Sequence, residues 1–217
     1  HDLEKTGIEY GLFSLVEIGP GEGTLSRDLI MSISEIAPDL ISKIELVLVE
    51  LNVGMRKRQE KVVNDLVGID YRWSNIEDLI SKPVTGVVIA NEVLDAFPVE
   101  RLIFIENKVF RQGVSLRKIN GEYYLEFVDL SPTSEIMEFL KDSNSLLNIE
   151  LPPKDICDRW TTEWHCDVPT WFSKLSKILI NGSLLVVDYA LESKRYYNAI
   201  RKDGTLISYK NQRANPD

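Results

Sequence analysis

Basic residues are in short supply. The 217-residue chain has 25 Lys and Arg against 34 Asp and Glu, a formal net charge of −9. Phosphate binding relies on clustered Lys and Arg, so no nucleic-acid partner is expected. Cysteine is scarce too, at Cys157 and Cys166. Two thiols give no disulfide framework and fit a reducing compartment. The two histidines are His1 and His165. His165 adjoins Cys166 in sequence, but a metal site needs more ligands at better spacing, so no metal is expected. Long apolar runs are missing: stretches such as Leu184–Val187 are far too short to span a bilayer. Internal repeats and low-complexity segments are absent as well. The opening residues lack the pattern of a signal or transit segment. The expectation is a cytoplasmic protein, or a mitochondrial one if the source is eukaryotic and residues precede His1.

What is present is a globular composition, 44% hydrophobic and 27% charged, which excludes a disordered or fibrous chain. Apolar runs at Ser14–Ile18, Ile44–Val49, Ile69–Trp73 and Val84–Ala90 alternate with helical patterns over 24–37, Met55–Leu66 and Ile76–Ile80. Continuous apolar strands alternating with amphipathic helices predict an α/β fold with a mostly parallel sheet covered on both faces. The Arg56-Lys57-Arg58 cluster reads as a solvated helix face. From Glu100 the pattern changes. Arg101–Ile105, Val109–Lys118 and Tyr123–Val128 read as consecutive strands, with Asn120-Gly121 as a hairpin turn. These form an antiparallel β insertion. Ser131-Pro132 reads as the start of a helix running to about Lys141. Residues 142–168 read as a turn-rich loop, Thr170–Leu179 as a helix and Gly182–Tyr189 as a fifth parallel strand. Residues 190–217 show no period. The domain reading is 1–99 as a Rossmann-like cofactor-binding half, 100–129 as the insertion and 130–217 as the remainder.

The most informative segment is Glu17-Ile-Gly19-Pro20-Gly21-Glu-Gly23-Thr24-Leu25, between the first strand and the first helix. Alternate glycines let the backbone approach a ligand, and the helix N-terminus supplies free N–H groups. A dinucleotide enzyme favours G-x-G-x-x-G. The spacing here is G-x-G-x-G after an acidic residue, which suits S-adenosylmethionine (AdoMet), a nucleoside cofactor with no pyrophosphate. Glu17 either orients the loop or faces the cofactor's ammonium. Glu50, followed by Leu51, ends the second strand, where a carboxylate can accept both ribose hydroxyls. Ser74, Asn75 and Ile76 follow the third strand, at the place for an adenine edge. Asn91 and Glu92 leave the fourth strand at the edge where ligands of such sheets bind, which puts them beside the transferable methyl; the bland alternative is a helix cap and a first-turn acid.

Taken together, EIGPGEGTL at 17–25, NEVLDAFP at 91–98, Asp188-Tyr189-Ala190, Tyr196-Tyr197, Gly204-Thr205-Leu206 and Arg213–Asp217 resemble the MidA-like, or complex I assembly type, AdoMet-dependent methyltransferases. One departure is Ala190, where the family pattern has Gly. The resemblance implies a Rossmann-like class I AdoMet methyltransferase fold, with AdoMet bound by the loop residues, Glu50, Leu51, Ser74, Asn75, Ile76 and Asn91. It implies that the chain is part of a longer protein. It also implies arginine methylation of a protein substrate, a respiratory complex subunit in the characterised case. An arginine acceptor needs carboxylates to hold its forked, charged guanidinium, so Glu92, Asn91 and Asp188 are the candidate catalytic residues. A small-molecule methyltransferase and a non-catalytic AdoMet-binding assembly factor are the alternatives.

Overall fold

The computed structural model describes residues 12–211 and 213–215. The chain divides into two compact units: residues 1–97 with 168–189, and residues 98–167 with 190–217.

The first unit is built on β1 (Phe13–Ile18), β2 (Ile44–Val49), β3 (Asp70–Ser74), β4 (Val84–Asn91) and β9 (Leu179–Val187). They lie in the order β3-β2-β1-β4-β9, and every neighbouring pair is parallel. Helices α1 (Thr24–Ile36), α2 (Val53–Val63), α3 (Ile76–Ser81) and α5 (Val168–Leu175) join them. Alternation along the strands feeds two cores. Val16, Ile18, Val88 and Ala90 pack with Leu79, Trp171 and Leu175, whereas Leu15, Leu46, Leu48 and Ile89 pack with Ile30 and Val63. The helices thus cover both faces, as continuous apolar strands require. Strand β9 starts three residues earlier than its sequence pattern indicates. Asn181-Gly182 looks like a turn, but Gly182 pairs with Gly86 inside the ladder. Helix α5 is correspondingly shorter and ends at Leu175.

The second unit carries the antiparallel strands β5 (Glu100–Ile105), β6 (Lys108–Ile119) and β7 (Glu122–Leu130), where the change of pattern places them. A further strand, β8 (Trp160–Trp164), pairs antiparallel with β5 and completes the order β7-β6-β5-β8. It lies in the stretch read as loop, since its two Thr and one Glu hide an apolar period although all three are buried. Helix α4 (Ser134–Leu147) is capped by Thr133, whose Oγ1 accepts from the Ile136 N–H at 3.4 Å, so Ser131-Pro132 precedes the helix rather than opening it. Leu102, Phe104, Ile136 and Trp160 form the core. The stretch read as aperiodic contains α6 (Ser193–Tyr196) and a small hairpin of β10 (Ser208–Lys210) and β11 (Arg213–Asn215). Pro216 and Asp217, the end of the Arg213–Asp217 element, lie outside the described residues, as does His1.

Glu163 organises this tail. Its carboxylate accepts from the Thr205 N–H at 2.8 Å, the Thr205 hydroxyl at 3.0 Å, the Leu206 N–H at 3.3 Å and the Tyr196 hydroxyl at 3.3 Å. Arg101 Nε faces it at 3.7 Å. A Cβ at Gly204 (φ 75°) would lie 2.1 Å from Glu163 Oε1, so only glycine lets the chain close on the carboxylate there. Burial pushes the Tyr196 phenol up to about 12. Among the described residues no helix is long and apolar enough to cross a membrane.

Candidate functional site

Because β1, β2, β3, β4 and β9 are parallel, their carboxyl ends share one edge of the sheet. From β1 the chain moves outward through β2 and β3, and then returns to β4 on the other side. Ligands of open α/β sheets bind at such a reversal. The glycine loop leaves β1 there, and Asn91-Glu92 leaves β4.

The loop needs its glycines: Gly19, Gly21 and Gly23 have φ of 65°, 52° and 85°. The Gly19 N–H donates to Val49 O at 3.1 Å, and the Gly23 N–H donates to the carbonyl of the buried Pro20 at 2.7 Å. A Cβ on Gly21 would meet nothing within 4 Å, so the loop's outer side is open. Gly23 is the N-cap of α1 and brings no side chain to cap it, which leaves room for a ligand's anionic end at a helix N-terminus. Thr24 is exposed at the first position of that helix, and Leu25 packs against the core beneath. Glu17 lies under the loop, 5% exposed, and accepts from the Ser26 hydroxyl. Burial raises its carboxyl above the ordinary range, and the Ser26 hydrogen bonds offset part of that rise.

Glu50, at the end of β2, is half-buried. Its Oε1 accepts from the Asn52 N–H at 2.7 Å and its Oε2 from Gln59 Nε2 at 3.3 Å. Leu51 beside it is 75% exposed. Gln59 Nε2 also donates to Gly21 O at 2.8 Å, while Gln59 Oε1 accepts from Trp73 Nε1 at 2.8 Å. One fully buried amide therefore links the loop after β1, the end of β2 and a residue of β3. The sequence reading missed Gln59. The available signal was its place four residues before the buried Val63, on the inward stripe of α2. The basic cluster is likewise more than a solvated face. Arg56 Nε donates to Glu50 O at 2.7 Å, and Arg58 pairs with Glu22 of the loop at 3.1 Å.

At the end of β3, Ser74 is buried and donates to Asn75 O at 3.3 Å. Asn75 caps α3, its Oδ1 accepting from the Asp78 N–H at 2.7 Å. Ile76 follows, half-buried.

At the end of β4, Asn91 and Glu92 are both exposed. Glu92 has φ 50°, a left-handed backbone that glutamate rarely adopts, and its N–H donates to Val187 O at 2.8 Å. Val93 next to it packs over the glycine loop: its Cγ2 lies 3.1 Å from where a Gly19 Cβ would sit. Asp188, just past β9, is committed to backbone. Its Oδ2 accepts from the Leu94 N–H at 2.7 Å and its Oδ1 from the Tyr189 N–H at 2.8 Å. It secures the 3-10 turn at Leu94–Ala96 that follows Glu92.

The edge thus offers a glycine-lined cradle at a helix N-terminus, a carboxylate on the neighbouring strand, and an exposed carboxylate across the reversal. The first two fit a nucleoside with an amino-acid tail. Among the described residues no cluster of three His, Cys, Asp or Glu is placed to hold a metal ion.

Residues 2–217 match a family described as "Putative S-adenosyl-L-methionine-dependent methyltransferase". No curated protein matches the chain. Among solved structures, an uncharacterised protein from Burkholderia thailandensis aligns at 26% identity and a TM-score of 0.74, over 96% of this chain and 51% of its own. A candidate methyl transferase of the same superfamily and organism, bound to S-adenosyl-homocysteine, aligns at 24% identity and 0.72, over 96% of this chain and 50% of its own. At that identity the second likeness speaks for the fold. The chain spans about half the length of both structures.

Proposed function

Since the chain belongs to the MidA-like family of AdoMet-dependent methyltransferases, we propose that it moves a methyl group from AdoMet to an arginine side chain of a protein, a respiratory complex subunit being the candidate acceptor. AdoMet, when bound, supplies a methyl carbon already activated by its sulfonium. The protein's part is to hold both reactants in line and to exclude water. Glu50 is the acceptor for the ribose hydroxyls, and the Gly19–Gly23 loop with the start of α1 receives the methionine end. Ser74, Asn75 and Ile76 flank the adenine.

The observation that carries the arginine reading is Glu92. An exposed carboxylate on a strained backbone, tied to β9 through its N–H, stands at the strand reversal beside the glycine loop. Strain at such a residue, held by its surroundings, supports Glu92 as a candidate functional position. A carboxylate grips a guanidinium by paired hydrogen bonds and orients one nitrogen for in-line attack. Asn91 is placed beside it, and Asp188 positions the turn behind it.

The test is methyl incorporation into arginine-containing peptides and native lysate proteins, with AdoMet affinity measured in parallel. Glu92→Gln keeps shape and loses half the grip, so turnover falls by a factor on the order of 10²–10³ while AdoMet affinity changes little. Full activity in Glu92→Gln rejects the clamp. Equal losses of binding and activity make Glu92 a cofactor ligand instead.

A further inference from the structure

Gln59 bonds to residues of three strand ends at the cofactor edge, and it is 0% exposed. Its orientation is fixed by chemistry. An indole N–H is a donor only, so Trp73 must meet the amide oxygen; a carbonyl and a carboxylate are acceptors only, so Gly21 and Glu50 must meet the NH₂. Both amide hydrogens are thereby used, at 2.8 Å and 3.3 Å. The aliphatic stem packs below the loop, with Cγ 3.5 Å from where a Gly23 Cβ would sit. Loop and carboxylate therefore hang from one rigid group.

We propose that Gln59 is the positioning residue of the ribose clasp, holding the Glu50 carboxylate at a set distance from the glycine loop before any cofactor arrives. This rests on the AdoMet reading above. Glu50 with one oxygen on the Asn52 N–H and the other on Gln59 has a single rotamer to offer the ribose, and a ligand need not meet the cost of ordering it. A purely structural Gln59 would stabilise the fold and leave ligand selectivity alone.

A double-mutant cycle in the intact chain separates the two, read as the Kd of S-adenosyl-homocysteine and of its 2′-deoxyribose analogue. Gln59→Met keeps the bulk and removes all three hydrogen bonds. It should weaken S-adenosyl-homocysteine about tenfold and narrow the preference for ribose over 2′-deoxyribose. In a Glu50→Ala background the same change should cost less than about twofold. An equal loss in both backgrounds, or an unchanged ribose preference, overturns the proposal. Should circular dichroism show Gln59→Met unfolded, Trp73→Phe takes its place, since it frees the amide without removing it. The same non-additivity with Glu50→Ala is then expected, and additivity overturns. A wild-type chain that binds neither AdoMet nor S-adenosyl-homocysteine defeats the cofactor reading itself. Wild-type binding with an additive cycle defeats the Gln59 role alone.

Discussion

The two units each contain a polar side chain sealed from solvent, Gln59 in one and Glu163 in the other, and the two networks end differently. Glu163 is saturated: four hydrogen bonds reach its carboxylate and Arg101 faces it. Three of these reach Oε2, the fourth and Arg101 lie at Oε1, and the residue is 1% exposed, so the carboxylate is closed to a ligand. The Gln59 network runs outward to Glu50, a half-buried carboxylate with two donors, and to the carbonyl of exposed Gly21. A filled carboxylate acts as a tether, whereas one with spare acceptor sites at a sheet edge is ready for hydroxyls. The contrast also explains why Gly204-Thr205-Leu206 and Tyr196 stand together as sequence signatures: they are the partners that saturate Glu163.

The largest expected effect tests the tether. Glu163→Ala removes the carboxylate that Arg101 Nε, itself without a hydrogen bond, faces at 3.7 Å, and leaves the Tyr196, Thr205 and Leu206 donors without their acceptor. Leaving buried donors without an acceptor costs about 1–3 kcal/mol each, so denaturant unfolding should lose about 3 kcal/mol or more. A loss under about 1 kcal/mol would break the comparison, because saturation would then contribute little.

Glu50→Ala should do the reverse. Its carboxylate touches one backbone N–H and one amide, so unfolding should shift by only about 1 kcal/mol. AdoMet affinity should fall more than tenfold, because two charge-assisted hydrogen bonds to the ribose are each worth roughly 1.5–3 kcal/mol. Calorimetry reads the affinity, and unchanged binding would remove Glu50 from the site.

Much of this edge was legible in the sequence, for physical reasons. The strands of the first unit are buried on both faces and read as unbroken apolar runs. The glycine loop announces itself because three left-handed positions admit few alternatives to glycine. What stayed hidden were polar residues that make an interior by pairing. Trp160–Trp164 reads as loop because Thr161, Thr162 and Glu163 look like surface residues until the partners of Glu163, 33 to 43 positions further on, are known. Gln59 is one polar residue on an otherwise ordinary helix stripe, and periodicity cannot tell a buried amide from an imperfect apolar face. Asp188 was picked out as a carboxylate at a strand end, but its commitment to the Leu94 and Tyr189 N–H groups depends on the turn that follows β4.

Glu17 sharpens the comparison through pH. Like Glu163 it is buried, and Ser26 donates to its carboxylate. Burial raises its carboxyl above the ordinary 4.5, so the folded chain holds this proton more tightly than the unfolded chain does. The resulting stability is complete below about pH 4.5 and is lost as pH rises through the folded-state value. The difference in melting temperature between wild type and Glu17→Gln should therefore shift in the variant's favour as pH climbs from about 4.5 toward neutrality. A difference that is flat across that window would show that burial of Glu17 is not penalising its charge.

The smallest effect comes from the residue beside Gln59. Arg58 and Gln59 are consecutive on α2, and both reach the glycine loop, one to the Glu22 carboxylate and one to the Gly21 carbonyl. The Arg58–Glu22 side chains are 64% and 56% exposed, so solvent screens the pair and each long side chain loses rotamer freedom in making it. An exposed pair of this kind is worth about 0.2–1 kcal/mol. Arg58→Ala should therefore lower stability by no more than that and change S-adenosyl-homocysteine affinity less than about threefold, with the residual effect vanishing near 1 M salt. The informative quantity is the ratio of the two neighbours' effects on binding. If Arg58→Ala equals Gln59→Met, the loop responds to any contact from α2, and burial of the amide confers nothing particular. A clear excess for Gln59 places control of the loop on its sealed side, where the buried amide cannot trade its partners for water.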